Sequence, residues 1–142
     1  MNLTIEKFGY PATLVREFDY WLVLLRPAQV TLGSLVLAAK SDATAYHQLP
    51  RKAFAEQADA VAAIERSLAA FCTYERINYL MLMMVDPNVH FHVIPRYSEP
   101  RVWAGVDFVD AGWPGPPRLD VAIKHGEADF ARLLAEITSN FR

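Results

Sequence analysis

The side chains best suited to chemistry in this chain lie within eleven residues, Asp86-Pro87-Asn88-Val89-His90-Phe91-His92-Val93-Ile94-Pro95-Arg96. Two of the chain's four histidines are there, two positions apart, with apolar residues between and after them. Side chains alternate faces along a strand, so Asn88, His90, His92 and Ile94 share one face, and Val89, Phe91 and Val93 take the other. The apolar face anchors the strand by packing. The opposite face then presents Asn-x-His-x-His, with imidazoles about 6.7 Å apart along a stiff element. A neutral imidazole is a good nucleophile near pH 7. It can attack phosphorus and form a phosphoramidate, which divides one difficult displacement into two easier ones. A second imidazole can contact phosphate oxygens or move a proton, a service worth about 10²–10⁴ in rate. The Asn88 amide can donate to a phosphate oxygen but cannot titrate.

The elements that must hold this strand can be read on either side of it. Residues 13–18 and 20–25 are rich in β-branched and aromatic residues, with Asp19 between them. Pro27 to Gly33 reads as a loop and residues 34–39 as a third strand. The short connections favour antiparallel meandering. From about Arg51 to Thr73 the period changes. Phe54, Ala58, Val61, Ile64, Leu68 and Phe71 recur at spacings of three and four, which predicts one long amphipathic helix. Pro50 stands just before it, where a missing N–H is harmless. Residues 77–85 are nearly all apolar. They read as a central strand buried on both faces, joined to the His strand by a tight Asp86-Pro87 turn. Met81, Met83 and Met84 are expected as core filler, and Cys72 as a small core residue. After Tyr97 the pattern loosens. Residues 107–110 read as a short edge strand, Gly112 to Pro117 as an irregular loop, and Glu127 to Asn140 as a closing helix.

The 142 residues suit a single domain of the α+β class, with its core over about 13–97. The net charge of −2, without a Lys/Arg cluster, argues against a nucleic-acid surface. The N-terminal residues lack the apolar stretch of a signal peptide and no apolar run is long enough for a membrane span, so a soluble cytoplasmic protein is expected. One cysteine excludes an internal disulfide and a Cys-based zinc cage. A His-x-His pair can also supply two zinc ligands, with His47 or His125 as a third. Otherwise His47 reads as a helix-entry residue and His125 as a surface residue near a helix start. Ser34 reads as a hydrogen-bond partner for a site imidazole. Arg96 reads either as a phosphate contact or as a salt-bridged residue. Trp103 and Trp113 are expected to pack the tail onto the sheet or a partner, or to cover a base.

The segment Asn88-x-His90-x-His92-Val93-Ile94-Pro95-Arg96 resembles the motif of the histidine triad family, His-φ-His-φ-His-φ-φ, often followed by Pro-Arg. The order of strands, long helix, apolar strand and His strand over residues 13–97 is also similar. The resemblance implies an antiparallel sheet of about five strands with one long helix and a C-terminal helix. It implies a homodimer and hydrolysis or transfer of nucleotidyl groups on nucleoside phosphoramidates or dinucleoside polyphosphates such as diadenosine polyphosphates. It implies no cofactor and no catalytic metal. By position, His90 matches the nucleophile and His92 the third triad histidine, which contacts phosphate. Asn88 replaces the first histidine, Ser34 replaces the histidine of a Gly-His pair, and Leu22 to Arg26 match the strand end touching base and ribose. The glycine-rich stretch that usually precedes the His strand is absent. The resemblance therefore implies catalytic residues His90 and His92 and substrate contacts at Asn88, Ser34 and Arg96. The alternatives are a nucleotide-binding module with little catalysis and a metal-dependent hydrolase using the His-x-His pair.

Overall fold

The apolar runs 21–25 and 35–39 form strands buried at every position, because their alternate side chains meet two separate apolar clusters. A computed structural model describes residues 1–141. Its elements are α1 (Leu3–Lys7), β1 (Leu14–Glu17), β2 (Trp21–Leu25), β3 (Ala28–Gln29), β4 (Leu35–Ala39), a 3-10 turn (Tyr46–Gln48), α2 (Arg51–Cys72), β5 (Arg76–Leu80), β6 (His90–Arg96), β7 (Arg101–Trp103), β8 (Val106–Phe108), β9 (Ile123–Lys124) and α3 (Glu127–Ser139). Five strands form one sheet in the order β1-β2-β4-β6-β5, and every pairing in it is antiparallel. With the long α2 and the C-terminal α3, this is the α+β architecture expected. Among the described residues no helix is long and apolar enough to cross a membrane.

One face of the sheet carries the main core. Trp21, Val23, Leu25, Leu35, Leu37 and Val93 pack there with Ile64 and Leu68 of α2 and Leu133 and Ile137 of α3. The helix buries the expected face at Ile64 and Leu68, with Val61 and Phe71 packed against the core, but not in its N-terminal turns. Phe54 is 37% exposed and Ala58 is exposed, while Ala53, Ala60, Ala63, Ser67 and Cys72 are buried beside Ile64 and Leu68. The small side chains let the helix axis approach the strands, and the Trp21 indole N–H donates to the Ala53 carbonyl at 2.7 Å. Phe54 instead stacks on Tyr46, with ring centroids 5.2 Å apart.

The second face has a smaller core that the sequence reading left unassigned. Ile5 and Phe8 pack on Leu22, Leu24, Val36 and Ala38. The short α1 is held there by Asn2, whose side-chain oxygen accepts from Ile5 N at 2.9 Å. The same amide donates to the carbonyls of Ala39 and Ser41 at 3.1 and 2.9 Å. This cap satisfies an otherwise unpaired helix N–H and ties the N-terminus to the end of β4.

The segment 77–85 differs most from expectation. The strand stops at Leu80 and lies at the sheet edge, paired only with β6. Its side chains are half-buried rather than buried on both faces. Asp86-Pro87 is not a tight hairpin turn. It belongs to an irregular connection over residues 81–89 that contains Met83 at φ +52°. Leu82, Met84 and Val85 are exposed in it, so Met84 is not core filler, whereas Met81 and Met83 do pack against the core. An edge strand has one neighbour, so nothing holds the chain flat once it passes Leu80. The segment bends out over the face that carries the histidines.

Candidate active site

Strand β6 sits between β4 and β5, and its register fixes the two imidazoles. His90 lies opposite Ala38, and His92 lies between Val36 and Leu80. Small and aliphatic neighbours leave the rings free of polar competition from the sheet. The ring centroids are 5.2 Å apart at an interplanar angle of 81°. Phe8 packs on both, at 5.7 and 5.8 Å. The two rings form part of the wall of a hollow of about 290 Å³. Its other walls are Lys7, Phe8, Arg26 and the connection from Leu82 to Asp86. That volume is at the small end for a ligand pocket. His90 is 1% exposed and His92 7% exposed, so both are desolvated groups at the wall of a cleft.

Hydrogen bonds define the chemistry of each ring. Nδ1 of His90 lies 2.7 Å from the Asn88 carbonyl oxygen. A carbonyl can only accept, so Nδ1 carries the proton and Nε2 of the neutral ring keeps its lone pair. Nδ1 of His92 is buried and meets no partner. Burial, then the nearby Arg26 and His90 charges, push His92 down to about 4, against a smaller opposing pull from Asp86. His92 is therefore neutral at pH 7. Arg26 donates from Nη1 to the Ala28 carbonyl at 2.5 Å, but its Nε is also buried without a partner. Burial disfavours the charge on this guanidinium, which nevertheless stays protonated in proteins. Lys7 reaches Asp86 at 2.8 Å and closes the rim between α1 and the 81–89 connection. Among the described residues only three buried side-chain polar atoms lack a partner, and two of them, on Arg26 and His92, belong to the walls of this hollow. Buried polar groups are nearly always paired, so these two exceptions leave the polar side of this wall unsatisfied by the protein itself.

The structure gives the other residues named from the sequence different tasks. Asn88 does not line the hollow. Its amide donates to the Asp42 carbonyl at 2.9 Å and accepts from the Thr4 hydroxyl at 3.0 Å, so it braces α1 while its backbone carbonyl orients His90. Ser34 is fully buried, and its hydroxyl donates to the Thr31 carbonyl and accepts from Thr31 N, at 2.8 and 3.0 Å. Together with Gln29, which bonds Arg26 O and Ser34 O at 2.7 and 2.9 Å, it stiffens the loop behind Arg26 rather than touching an imidazole. Arg96 forms a buried bidentate pair with Asp110 at 2.7 and 3.0 Å and lies outside the histidine hollow. It is salt-bridged, one of the two readings the sequence offered, and it lines a separate hollow with Arg76, Asn78 and Trp113. His125 is half-buried against Trp103 and Phe108, and His47 is exposed in the 3-10 turn, so neither supplies a third metal ligand to the pair. Among the described residues no three His, Cys, Asp or Glu side chains converge on one point.

Sequence reasoning missed Lys7 and Phe8, which sit in an unassigned segment, and did not single out Arg26. The signal for Arg26 was present: it is the lone charge that closes the apolar run Trp21–Leu25, just before Pro27.

The fold recurs in solved structures. A histidine triad protein from Bradyrhizobium japonicum superposes with a TM-score of 0.77 at 16% identity, over 100% of this chain and 97% of that one. One from Sinorhizobium meliloti gives 0.77 at 20%, over 99% and 96%. The chain has the histidine triad fold. A hypothetical histidine triad nucleotide-binding protein from Sulfolobus tokodaii shares it with a TM-score of 0.68 at 18% identity, over 96% and 88%. No family model and no curated protein matches the sequence. At these identities the histidine triad fold rests on geometry, and the two imidazoles lie on the strand that the motif marks.

Proposed function

We propose that this protein is a nucleotide-binding hydrolase or nucleotidyl transferase acting at the α-phosphate of a nucleoside phosphate derivative. The observation that carries this reading is the 2.7 Å contact between His90 Nδ1 and the Asn88 carbonyl, which fixes the tautomer so that the neutral ring carries its lone pair on Nε2, the nitrogen suited to nucleophilic attack. Nε2 forms a bond to the α-phosphorus, and the bond from phosphorus to the leaving group breaks with its electron pair going to that group. Water then attacks the phosphorus, the P–N bond breaks, and a nucleoside monophosphate leaves with the oxygen of water. Arg26 and Lys7 supply positive charge beside the reacting phosphate, where charge spreads over its oxygens. His92 offers an uncharged contact to a phosphate oxygen.

The low affinity of His92 for protons bears on the leaving group. With its pKa near 4, His92 is a poor proton donor at pH 7. An amine must be protonated to leave well, whereas a nucleoside polyphosphate departs as a solvated anion. The same observation gives a second reading, in which the protein binds nucleotides and turns them over only slowly.

The test is incubation with diadenosine tetraphosphate and with adenosine 5′-phosphoramidate, followed by chromatography for released adenosine monophosphate. His90→Ala should lose about 10³-fold or more in kcat if the histidine is the covalent nucleophile. Undiminished turnover in that variant rejects the mechanism. Binding of either compound by the wild type, without product over hours at micromolar enzyme, selects the binding-module reading.

A further inference from the structure

A larger hollow lies on the same face of the sheet, away from the histidines. Arg96 is four positions beyond His92 on β6, about 13 Å along the strand. It lines a hollow of about 530 Å³ with Arg76, Asn78 and the segment Trp113 to Pro116. None of these residues lines the histidine hollow. Arg76 and Asn78 are alternate residues of β5, opposite Arg96 and Ile94, so the register brings them onto one wall. The other wall is a loop fixed by its own contacts. Trp113 N donates to the Asp110 carbonyl at 3.2 Å and Gly115 N to the Gly112 carbonyl at 2.7 Å, and a side chain at Gly112 would collide with the Pro116 carbonyl. Arg96 braces one wall against the other. Its Nη1 donates to Asn78 Oδ1 and its Nη2 to the Gly115 carbonyl, while Asp110 balances its charge. The polar side-chain groups left over on these walls are donors. A guanidinium N–H can only donate, so the Asn78 oxygen faces Arg96 and the Asn78 NH2 is turned away. Among the described residues, that NH2 and the Trp113 indole N–H meet no acceptor. Arg76 is exposed and spends one bond on the Glu75 carbonyl, from Nη1 at 2.9 Å. The neighbouring carboxylates are engaged: Asp110 by Arg96 and Tyr97 N, and Glu75 by Ser98 N and Oγ at 2.9 and 2.6 Å.

We propose that this hollow is a separate binding site for a small planar organic anion, an aromatic carboxylate, held by Arg76 and Asn78 against Trp113. The reading of the histidines as a nucleotide site is not needed for it. The Arg76 guanidinium is a flat fork of donors that matches a carboxylate in two parallel bonds. The Asn78 NH2 stands two strand positions on, about 6.7 Å away along β5, and serves a second acceptor. The Trp113 indole, with Pro114 and Pro116, supplies the apolar side against which a ring packs. Walls cross-braced by a buried ion pair need no ordering to receive it. The volume is that of an ordinary small-molecule pocket.

Titration of the full chain with benzoate, benzamide and inorganic phosphate, read by calorimetry and by tryptophan fluorescence, separates charge from ring. Benzamide keeps the ring without the charge and phosphate keeps the charge without the ring, so each should bind at least about ten-fold more weakly than benzoate. Trp21 and Trp103 are buried and Trp113 is half-buried, so benzoate should change the emission of Trp113 alone. Trp113→Phe should abolish that change while holding the calorimetric affinity within about three-fold. Arg76→Ala, at an exposed position, should lower benzoate affinity about ten-fold. Asn78→Asp keeps an acceptor for Arg96 and replaces the NH2 by an oxygen, and it should cost about as much. Lys7→Ala, at the histidine hollow, should leave benzoate affinity within about two-fold. Equal affinity for benzoate and benzamide, or for benzoate and phosphate, overturns the proposal. So does benzoate binding that survives Arg76→Ala and is lost in Lys7→Ala, a signal that follows self-association in sedimentation, or no benzoate binding at about 10 mM.

Discussion

Replacing Asp110 by alanine tests whether Arg96 is part of the scaffold or part of the nucleotide site. The Arg96 side chain is 5% exposed and that of Asp110 1%. Nε and Nη2 of Arg96 reach the two carboxylate oxygens at 2.7 and 3.0 Å, Nη1 reaches the Asn78 side chain at 2.7 Å, and Nη2 also reaches the Gly115 carbonyl at 2.8 Å. Asp110 accepts in addition from Tyr97 N at 3.2 Å. Asp110→Ala therefore leaves a buried guanidinium with only neutral acceptors and a buried backbone N–H with none. Breaking a buried pair in this way costs about 3–5 kcal/mol, a large share of the 5–15 kcal/mol that about spans the stability of such domains. The midpoint of thermal unfolding should fall by about 10 °C. The double variant Arg96→Met/Asp110→Leu should recover most of the loss, because it removes both charges and keeps the volume. Urea unfolding followed by tryptophan fluorescence gives the free energies for the complete cycle. Below its own midpoint, Arg96→Met should bind adenosine monophosphate within about two-fold of the wild type, since its donors already have partners. A cost under about 1 kcal/mol for Asp110→Ala would refute the reasoning. So would an Arg96→Met variant of full stability that no longer binds the nucleotide.

Two further outcomes concern pH and a helix end. His92 has a folded-state pKa of about 4, below the ordinary value of 6.5, so the unfolded chain takes up its proton first as pH falls. The stability associated with neutral His92 is complete above about pH 6.5 and is lost between there and about pH 4, by at most about 3 kcal/mol and less where the hollow admits water. Urea midpoints at pH 7 and 4.5 should differ by less in His92→Gln than in the wild type, and an equal difference in both would show that this ring is not responsible. Thr73 closes α2 in the left-handed region at φ 47° and ψ 57° and is exposed. Thr73→Gly should stabilise the protein by about 1 kcal/mol by relieving the clash of its Cβ, raising the thermal midpoint by about 3 °C; a lower midpoint would count against the strain.

Strands β1, β2, β4 and β6, helices α2 and α3, and the common face of His90 and His92 were legible in the sequence, because a period of two or of three to four residues is a local property. The alternation around Phe91 required an apolar side and a histidine side whatever lay next to it. The length of α2 and the burial of Ile64 and Leu68 followed from the same kind of signal, yet the packing of its N-terminal turns did not. Once the sheet admits only small side chains at close approach, Ala53, Ala60 and Ala63 outrank Phe54. The edge position of β5 was equally hidden, since an apolar run carries no information about how many neighbours it will have. The tasks of the polar residues were decided by tertiary structure alone. Asn88 looked like a phosphate donor until the fold brought Thr4, 84 positions away, onto its amide. Arg96 was ambiguous until Asp110 closed on it, and Arg26 gained its importance from the bend of residues 81–86 that walls the hollow with it. A buried polar atom is defined by the partner it meets or lacks, and that partner comes from a part of the chain that no local pattern specifies.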